Sequence, residues 1–437
     1  MKQKILAVAC AVCFLLSIAC TLSGCYTSSN VGISDAKIND NGELILSYED
    51  GRQQNLGKVV GSNGADGQNG SLVISDSGSN VSAASAKGLM SAVSIVSKFQ
   101  TTVHQGGWGP SFGSTATKEY SSAGSGVIYK LDKTAGNAFI ITNYHVVYDA
   151  SSNTENGISQ DISIYLYGSE IEEKAISATY VGGSLYYDIA VLRVEDSEIL
   201  RSSHACQVEI TNSDTVAVGD SAIAIGNAQS YGISASCGIV SVDSEYITMT
   251  AADGRTSVSF RVFRVDTAVN SGNSGGGLYD GQGQLIGIVN AKIVDDGVEN
   301  IGYAIPSNVA IAIADNIIDY CYGTQVERVQ RALLGISVTT TDSKAVYDSE
   351  TGTVHIEEQV CVYEVTKNSL ADGLLQAGDV LLSATVNGRA TQITRQYHVI
   401  DMMLSVRVGD TVSFVILRDG QESNVDITIT ADCLTAY

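Results

Sequence analysis

Gly272-Asn273-Ser274-Gly275-Gly276-Gly277-Leu278 sets a single serine among four glycines. Small flanking residues let backbone N–H groups converge beside an exposed hydroxyl, the arrangement that nucleophilic acyl transfer needs. A glycine-rich turn without chemistry looks the same in isolation, so the surrounding chain has to decide. From about residue 88 to 306, short β-branched and aromatic runs are separated by Gly/Ser/Asn turns. Examples are Phe139-Ile140-Ile141, Ile162 to Tyr167, Ile189 to Val194 and Leu285 to Val289. Helical periodicity is scarce there, and the pattern predicts a mostly β protein built as a barrel or sandwich. One helix follows, with Ser307 as its cap, Val309, Ile313, Ile317 and Tyr320 on one face, and Gly323 as its stop.

Two further pieces lie upstream of the serine. His145 stands in Ile141-Thr142-Asn143-Tyr144-His145-Val146-Val147, at the end of an apolar strand, and Asp188 opens Asp188-Ile189-Ala190-Val191-Leu192-Arg193-Val194. Alone, such a histidine is commonly structural and such an aspartate a turn residue. Together, in the order His, Asp, Ser within one β-rich region, they give the order of the chymotrypsin-like serine proteases. The three contexts resemble those of the high-temperature-requirement (HtrA or Deg) proteases, in which T-N-x-H-V carries the base, D-I-A-V-L the orienting acid and G-N-S-G-G the nucleophile. Ser125-Gly126-Val127-Ile128, Gly238-Ile239-Val240-Ser241 and Gly302-Tyr303-Ala304-Ile305-Pro306 extend the resemblance over residues 88–323.

That resemblance implies a chymotrypsin-like double β-barrel with His145 as base, Asp188 as its orienting acid and Ser274 as nucleophile. The oxyanion hole then falls on Gly272, Asn273 and Ser274, with the N–H groups of Gly272 and Ser274 as donors. In such proteases the residue six before the nucleophile lies at the base of the specificity pocket. Here it is Ala268, followed by Val269, so the pocket carries no carboxylate and favours small or medium aliphatic residues. The family commonly places proline before G-N-S-G-G and after its last glycine. Ser271 and Gly277 stand there instead, and the loss of two φ-locked residues predicts a more flexible oxyanion loop.

Past residue 330 a second β module begins. Asn387-Gly388 marks a tight turn, Val412, Phe414 and Ile416 alternate up to Asp419-Gly420, and Val425, Ile427 and Ile429 return as the partner strand. Ser369-x-x-Asp372 has the form of a capping box that opens a short helix, and residues 394–406 read as an amphipathic helix. Leu333-Leu334-Gly335-Ile336 resembles the carboxylate-binding loop of PDZ domains, and Leu374-Leu375-Gln376-Ala377-Gly378-Asp379-Val380-Leu381 resembles their G-L-x-x-G-D-x-I segment. The resemblance implies a peptide-binding domain over residues 330–437 that takes protein C-termini as an added strand beside 336–340. A β module that only spaces or oligomerises the chain is the alternative.

At the N-terminus, Lys2 and Lys4 precede an apolar run from Ile5 to Cys20, and Leu22-Ser23-Gly24-Cys25 follows. The run is short for a transmembrane helix and fits the core of a signal peptide. The tetrapeptide resembles the bacterial lipobox, which implies that residues 1–24 are removed and Cys25 is thioether-linked to diacylglycerol. An uncleaved single-span anchor is the alternative, and both place the rest of the chain outside the cytoplasm. Residues 25–60 read as a small β-hairpin module, a hairpin or small sheet around Asn41-Gly42 and Asp50-Gly51, and residues 61–87 as a Gly/Ser-rich linker.

The bulk composition narrows the partners. The chain has 437 residues, 16% of them charged, and a net charge of −22 without any Lys/Arg-rich run. Binding to nucleic acid by charge is excluded. Nor would so acidic a chain adhere to anionic lipid by charge, so a lipid at Cys25 has to do the holding. Of nine cysteines, Cys206, Cys237, Cys321, Cys361 and Cys433 remain beyond Cys25. Their spacing fits no metal pattern, and buried free thiols are expected, with one disulfide left open. No H-E-x-x-H, Walker loop or dinucleotide fingerprint occurs, so neither metal nor organic cofactor is expected. The combined expectation is a membrane-anchored, extracytoplasmic serine endopeptidase that degrades unfolded or damaged proteins, with homotrimers implied by the resemblance. A chaperone-like scaffold with an idle or gated protease site is the competing reading, and a surface adhesin built on the N-terminal module is a third.

Overall fold

Strands β1 (Ile33–Ile38), β2 (Glu43–Tyr48) and β3 (Gln53–Lys58) form an antiparallel sheet in the order β1-β2-β3. Of the hairpin and the small sheet expected here, the small sheet forms: Gln53–Lys58 pairs with β2 across the turn at Asp50-Gly51, where Gly51 takes a φ of +85°. The computed structural model describes residues 33–39, 41, 43–58, 81–105, 114–291, 301–324, 326 and 328–436. The signal segment 1–24, Cys25 and most of the expected linker lie outside these residues. Where that linker is described it is not one. Helix α1 (Val81–Ser91) buries Ala84, Gly88 and Ser91. Ser91 Oγ lies 3.1 Å from the Tyr279 hydroxyl, so the Ala/Ser-rich stretch folds because a close-packed surface receives it.

Two closed barrels follow. The first contains β4 (Ala92–Gln105), β5 (Ser114–Asp132), β6 (Asn137–Thr142), β7 (Asp161–Leu166), β8 (Ile176–Ser184) and β9 (Ile189–Val194), closed in the order β4-β5-β6-β9-β8-β7. Between β6 and β7 lies one short helix, α2 (Tyr144–Val147), and after β9 another, α3 (Glu198–Ser202). The second contains β10 (Ser221–Gly226), β11 (Ser234–Thr250), β12 (Ser257–Val265), β13 (Gly277–Tyr279), β14 (Leu285–Val289) and β15 (Gly302–Pro306), closed as β10-β11-β12-β15-β14-β13. Strand alternation feeds two cores at once. Ile140 packs with Val93, Ile95, Ile128 and Leu192 inside the first barrel. Its neighbour Ile141 joins Val127, Val191, Ile223, Ile225 and Tyr279 in the cluster between the barrels. Each such side chain contributes about 1.5–3 kcal/mol on burial, so the seam between the barrels is as apolar as their interiors.

Helix α4 (Ser307–Cys321) closes the protease region with Val309, Ile313 and Ile317 buried. Ser307 does not cap it. The N-cap position is Pro306, and the Ser307 hydroxyl donates to Thr211 O. Gly323, at φ +73°, ends the helix as expected.

The C-terminal module has β17 (Ile336–Tyr347), β18 (Val354–Val365), β19 (Val380–Val386), β21 (Thr411–Arg418) and β22 (Gln421–Thr428) in one antiparallel sheet, with β20 (Arg389–Gln392) beside β19. A separate pair, β16 (Gln330–Ala332) and β23 (Leu434–Ala436), ties its two ends together. Helix α5 (Gln396–Ser405) matches the amphipathic reading of 394–406. The capping box at Ser369 forms turns rather than a helix. Left-handed residues at Asn368 (φ +63°) and Gly373 (φ +77°) bracket it, and Asp372 accepts from the Asn368 N–H. Among the five cysteines, all free, Cys321 and Cys361 are buried but Cys206 and Cys237 are exposed, which corrects the expectation of uniformly buried thiols.

Candidate active site

His145 is presented by the turn from β6 into α2, and Asp188 by the turn between β8 and β9. Asp188 adopts the left-handed region (φ +54°), a conformation that needs outside support in a non-glycine residue. The support is dense. The backbone carbonyl of Asp188 accepts from Tyr144 N at 3.2 Å and from Asn143 Nδ2 at 2.8 Å. Its carboxylate accepts from His145 N at 2.9 Å through Oδ1, and from Asn290 Nδ2 at 2.8 Å through Oδ2. His145 Nδ1 lies 2.6 Å from the same Oδ2. An ionised carboxylate only accepts, so in this pairing Nδ1 carries the hydrogen and Nε2 is left as an acceptor. Asp188 is 5% exposed, which keeps water from competing for these bonds.

Ser274 arrives from the second barrel, and Ser125 on β5 holds it. Ser125 N donates to Ser274 O at 2.8 Å, and Ser125 Oγ donates to Gly272 O at 2.7 Å while accepting from Asn227 N. Thr142 Oγ1 returns to Ser125 O at 2.7 Å. Further bonds from Gly275 N to Val289 O and from Gly276 N to Asn273 O pin the other side of the loop. Two of the glycines are obligatory. Gly272 (φ +93°) and Gly275 (φ +83°) are both left-handed, and a Cβ would strike Asn227 O in the first case and Ser125 O in the second. The same Cβ on Gly275 would touch Thr142 Oγ1 and Asn143 N, two residues from His145. The Ser274 loop is thus packed onto the strand end that carries the histidine.

The structure therefore pairs His145 with Asp188 and packs the loop of Gly272, Asn273 and Ser274 onto the strand end that precedes His145. Asn273 and Ser274 are both buried. At Gly277 the missing proline has a local reason: the ring of Tyr279 occupies the space that a side chain there would need. Ser271 O accepts from Gln229 N at 2.7 Å, and Gln229 and Ser230 are both left-handed (φ +52° and +62°), so a strained neighbouring turn abuts the loop. Val269 packs its Cγ2 over Gly302, and Ala268 O accepts from Ser236 Oγ. Asn290 was not singled out in the sequence, although it is a polar residue that ends the apolar run Leu285 to Val289.

In the C-terminal module, Leu334 O accepts from Ala371 N and Gly335 O from Thr366 N. Planar peptides then turn the N–H groups of Gly335 and Ile336 the opposite way, as a carboxylate-binding loop requires. Leu333 and Ile336 flank this turn, and Gly335 takes a φ of +80°. Asp379 anchors the G-D segment by accepting from Arg418 Nε at 2.7 Å and Nη2 at 2.6 Å.

A double β-barrel with this His–Asp–Ser arrangement, followed by a module built on a six-stranded antiparallel sheet, defines a trypsin-like serine endopeptidase carrying a PDZ domain. Residues 124–288 match the trypsin-like peptidase domain family and residues 332–429 the PDZ domain family. The chain belongs to the HtrA family of serine proteases. It is 31% identical over 335 residues to the serine protease Do-like HtrA of Lactococcus lactis subsp. lactis strain IL1403, covering 74% of each chain. It is 30% identical over 350 residues to the protein of the same name from Bacillus subtilis strain 168, covering 78% of this chain and 71% of the relative. Among solved structures, the HtrA-type protease AlgW with decapeptide is 24% identical, with a TM-score of 0.49, and the match covers 82% of this chain and 99% of that one.

Proposed function

We propose that the protein is a lipid-anchored endopeptidase on the extracytoplasmic face of a bacterial cell membrane, degrading unfolded or damaged proteins as a homotrimer. The observation that carries the catalytic part is the fully bonded Asp188 carboxylate beside His145, with the Ser274 loop packed onto the same strand end. His145 Nε2 takes the Ser274 proton as Oγ bonds to a substrate carbonyl carbon. The oxyanion that forms is held by the N–H groups of Gly272 and Ser274, at roughly 3 kcal/mol per donor. Nε2 then gives the proton to the departing amine, and the acyl-enzyme is hydrolysed by water activated in the same way. Asp188 holds the imidazole tautomer and stabilises the imidazolium throughout. Val269 over Gly302 makes an apolar floor, which supports cleavage after small or medium aliphatic residues.

The anchor rests on Leu22-Ser23-Gly24-Cys25, and the unfolded-substrate reading on the peptide-binding module and the family. Purified protein incubated with an unfolded substrate and a serine-directed fluorophosphonate tests the chemistry. Ser274→Ala abolishes labelling and lowers turnover by on the order of 10⁶, and Asp188→Asn by about 10⁴. Equal proteolysis by wild type and Ser274→Ala ends the reading. For the anchor, mass spectrometry of the membrane fraction finds a diacylglyceryl peptide beginning at Cys25, and recovery of intact residues 1–24 on the mature chain contradicts it.

A further inference from the structure

Helix α5 packs Val399 and Met403 into the sheet core of its own module. It also docks on the protease barrels, where Leu404 joins the apolar cluster between them. Charged pairs line this seam: Arg395 Nη1 reaches Asp243 Oδ2 at 3.2 Å, and Arg407 Nε meets Asp319 Oδ2 of α4 at 2.9 Å. In the middle, Arg261 of β12 pairs through Nη2 with Asp401 at 2.8 Å and with Asp214 at 3.1 Å, and stacks on the Tyr397 ring at 3.8 Å.

That leaves Arg261 half used. Its Nε and Nη1 find no hydrogen-bond acceptor among the described residues, although Arg261 is 2% exposed. A guanidinium keeps its protons inside a protein, so these donors persist at every pH the chain meets. Buried donors in folded proteins are met by some acceptor in nearly every case.

The space beside them narrows what that acceptor is. Arg261 lines a cavity of about 240 Å³. A larger one of about 520 Å³ is lined by Asp401 but not by Arg261, so the unmet donors belong to the smaller. Arg331 adds a second guanidinium to its wall, against the single carboxylate of Asp401. Two cations facing one anion disfavour a cationic ligand and favour an anionic one. The Tyr186 hydroxyl, also in the wall, already donates to Ser259 O at 2.7 Å. Phe260, Val309 and Ile400 make much of the remainder apolar. Water needs two to four polar partners per molecule, which those three side chains do not supply. An apolar cavity of about 150 Å³ is enough for benzene, so one of about 240 Å³ admits a ring with an anionic group attached.

We propose that this cavity binds a small organic carboxylate with a ring-sized apolar body, Arg261 taking the carboxylate and Phe260, Val309 and Ile400 the body. Charge-assisted hydrogen bonds from Nε and Nη1 are the strong contacts, and the apolar wall sets the shape of what enters. Asp401 opposes the ligand, because its own carboxylate shares the guanidinium at 2.8 Å. The lining comes from β12 and α4 on one side and from α5 on the other, so the site is complete only with both modules in place.

The test uses the full chain with Ser274→Ala, titrated calorimetrically at pH 7.5 with benzoate, with its neutral twin benzamide and with inorganic phosphate. Benzoate should bind at least about 10-fold more tightly than either of the others. Asp401→Asn removes the opposing charge at almost constant volume and should tighten benzoate about 10-fold. Ile400→Phe brings a ring into the cavity without altering its charges and should weaken benzoate by at least about 10-fold. Arg261→Gln should abolish binding, with a native far-UV spectrum as its control. Absence of benzoate binding to the Ser274→Ala parent, or equal binding of benzamide, overturns the proposal. Tighter binding of phosphate than of benzoate overturns the ligand class. A benzoate affinity untouched by both Asp401→Asn and Ile400→Phe places the benzoate elsewhere and overturns the site.

Discussion

Asn290 shows what one side chain adds to the carboxylate of Asp188, the proposed partner of the His145 base. Its amide donates to the same carboxylate oxygen that holds His145, from the end of β14 in the other barrel. A hydrogen bond to a charged group contributes about 1.5–3 kcal/mol, so Asn290→Ala should lower kcat by roughly 10–100-fold at unchanged KM. An unchanged kcat with a lowered melting temperature would make Asn290 merely structural. His145, Asp188 and Ser274 were legible because each sits in a run of several diagnostic residues. Asn290 was not, because a lone asparagine after a buried strand looks like any strand terminus. Ser125 was legible as a motif member, but its task of holding Gly272 and Ser274 depends on contacts across some 150 residues that no local pattern encodes.

Helix α5 shows the same limit one level up. Its existence followed from the spacing of Val399, Met402, Met403 and Val406. That Tyr397, Asp401 and Leu404 face a different domain did not, since Arg261 and Asp401 read in sequence as ordinary surface charges. The docking changes what removal of residues 330–437 should do. Protein substrates should be handled far less well and short blocked peptides cleaved nearly as before, because the groove supplies binding and not chemistry. The melting temperature of the protease portion should nevertheless fall by on the order of 5 °C, as uncovering the site of Leu404 forfeits roughly 2 kcal/mol. A truncated enzyme with an unchanged melting curve would show that the seam contributes nothing to the fold.

For the molecule as a whole, the same seam sets a response to acidity. Burial pushes the Asp401 carboxyl up to about 6, against the partial relief given by Arg261. The folded protein therefore binds this proton more tightly than the unfolded chain. The stability that Asp401 contributes is full below the ordinary carboxylate range and is lost as pH rises through about 6. His398, on the same helix, works in the opposite sense, since burial lowers its value and its contribution is lost on acidification. Asp214, Asp243, Arg261, Arg331 and Arg395 complete the charged surroundings. Comparing wild type with Asp401→Asn separates the two, because His398 is common to both. The melting temperature of wild type minus that of Asp401→Asn should increase as pH falls from 7 to 4. A difference that stays flat or shrinks would show that Asp401 titrates as a surface acid.

The two-barrel construction of the catalytic centre bears on how such a chain survives its own synthesis. Asp188 and His145 come from the first barrel, whereas Ser274, its glycine loop and Asn290 come from the second. Ser125 fastens the later segment onto the earlier one. A nascent chain that has emerged only as far as β9 holds the proposed base and acid but not the proposed nucleophile. One that stops just past Ser274 has the serine without β14, whose Val289 carbonyl fixes Gly275. Cutting power thus appears only when the last strands of the second barrel close. By then the strands from β4 to β14 are already withdrawn into the two barrels, so the protease gains its cutting power only once that much of itself is folded out of reach.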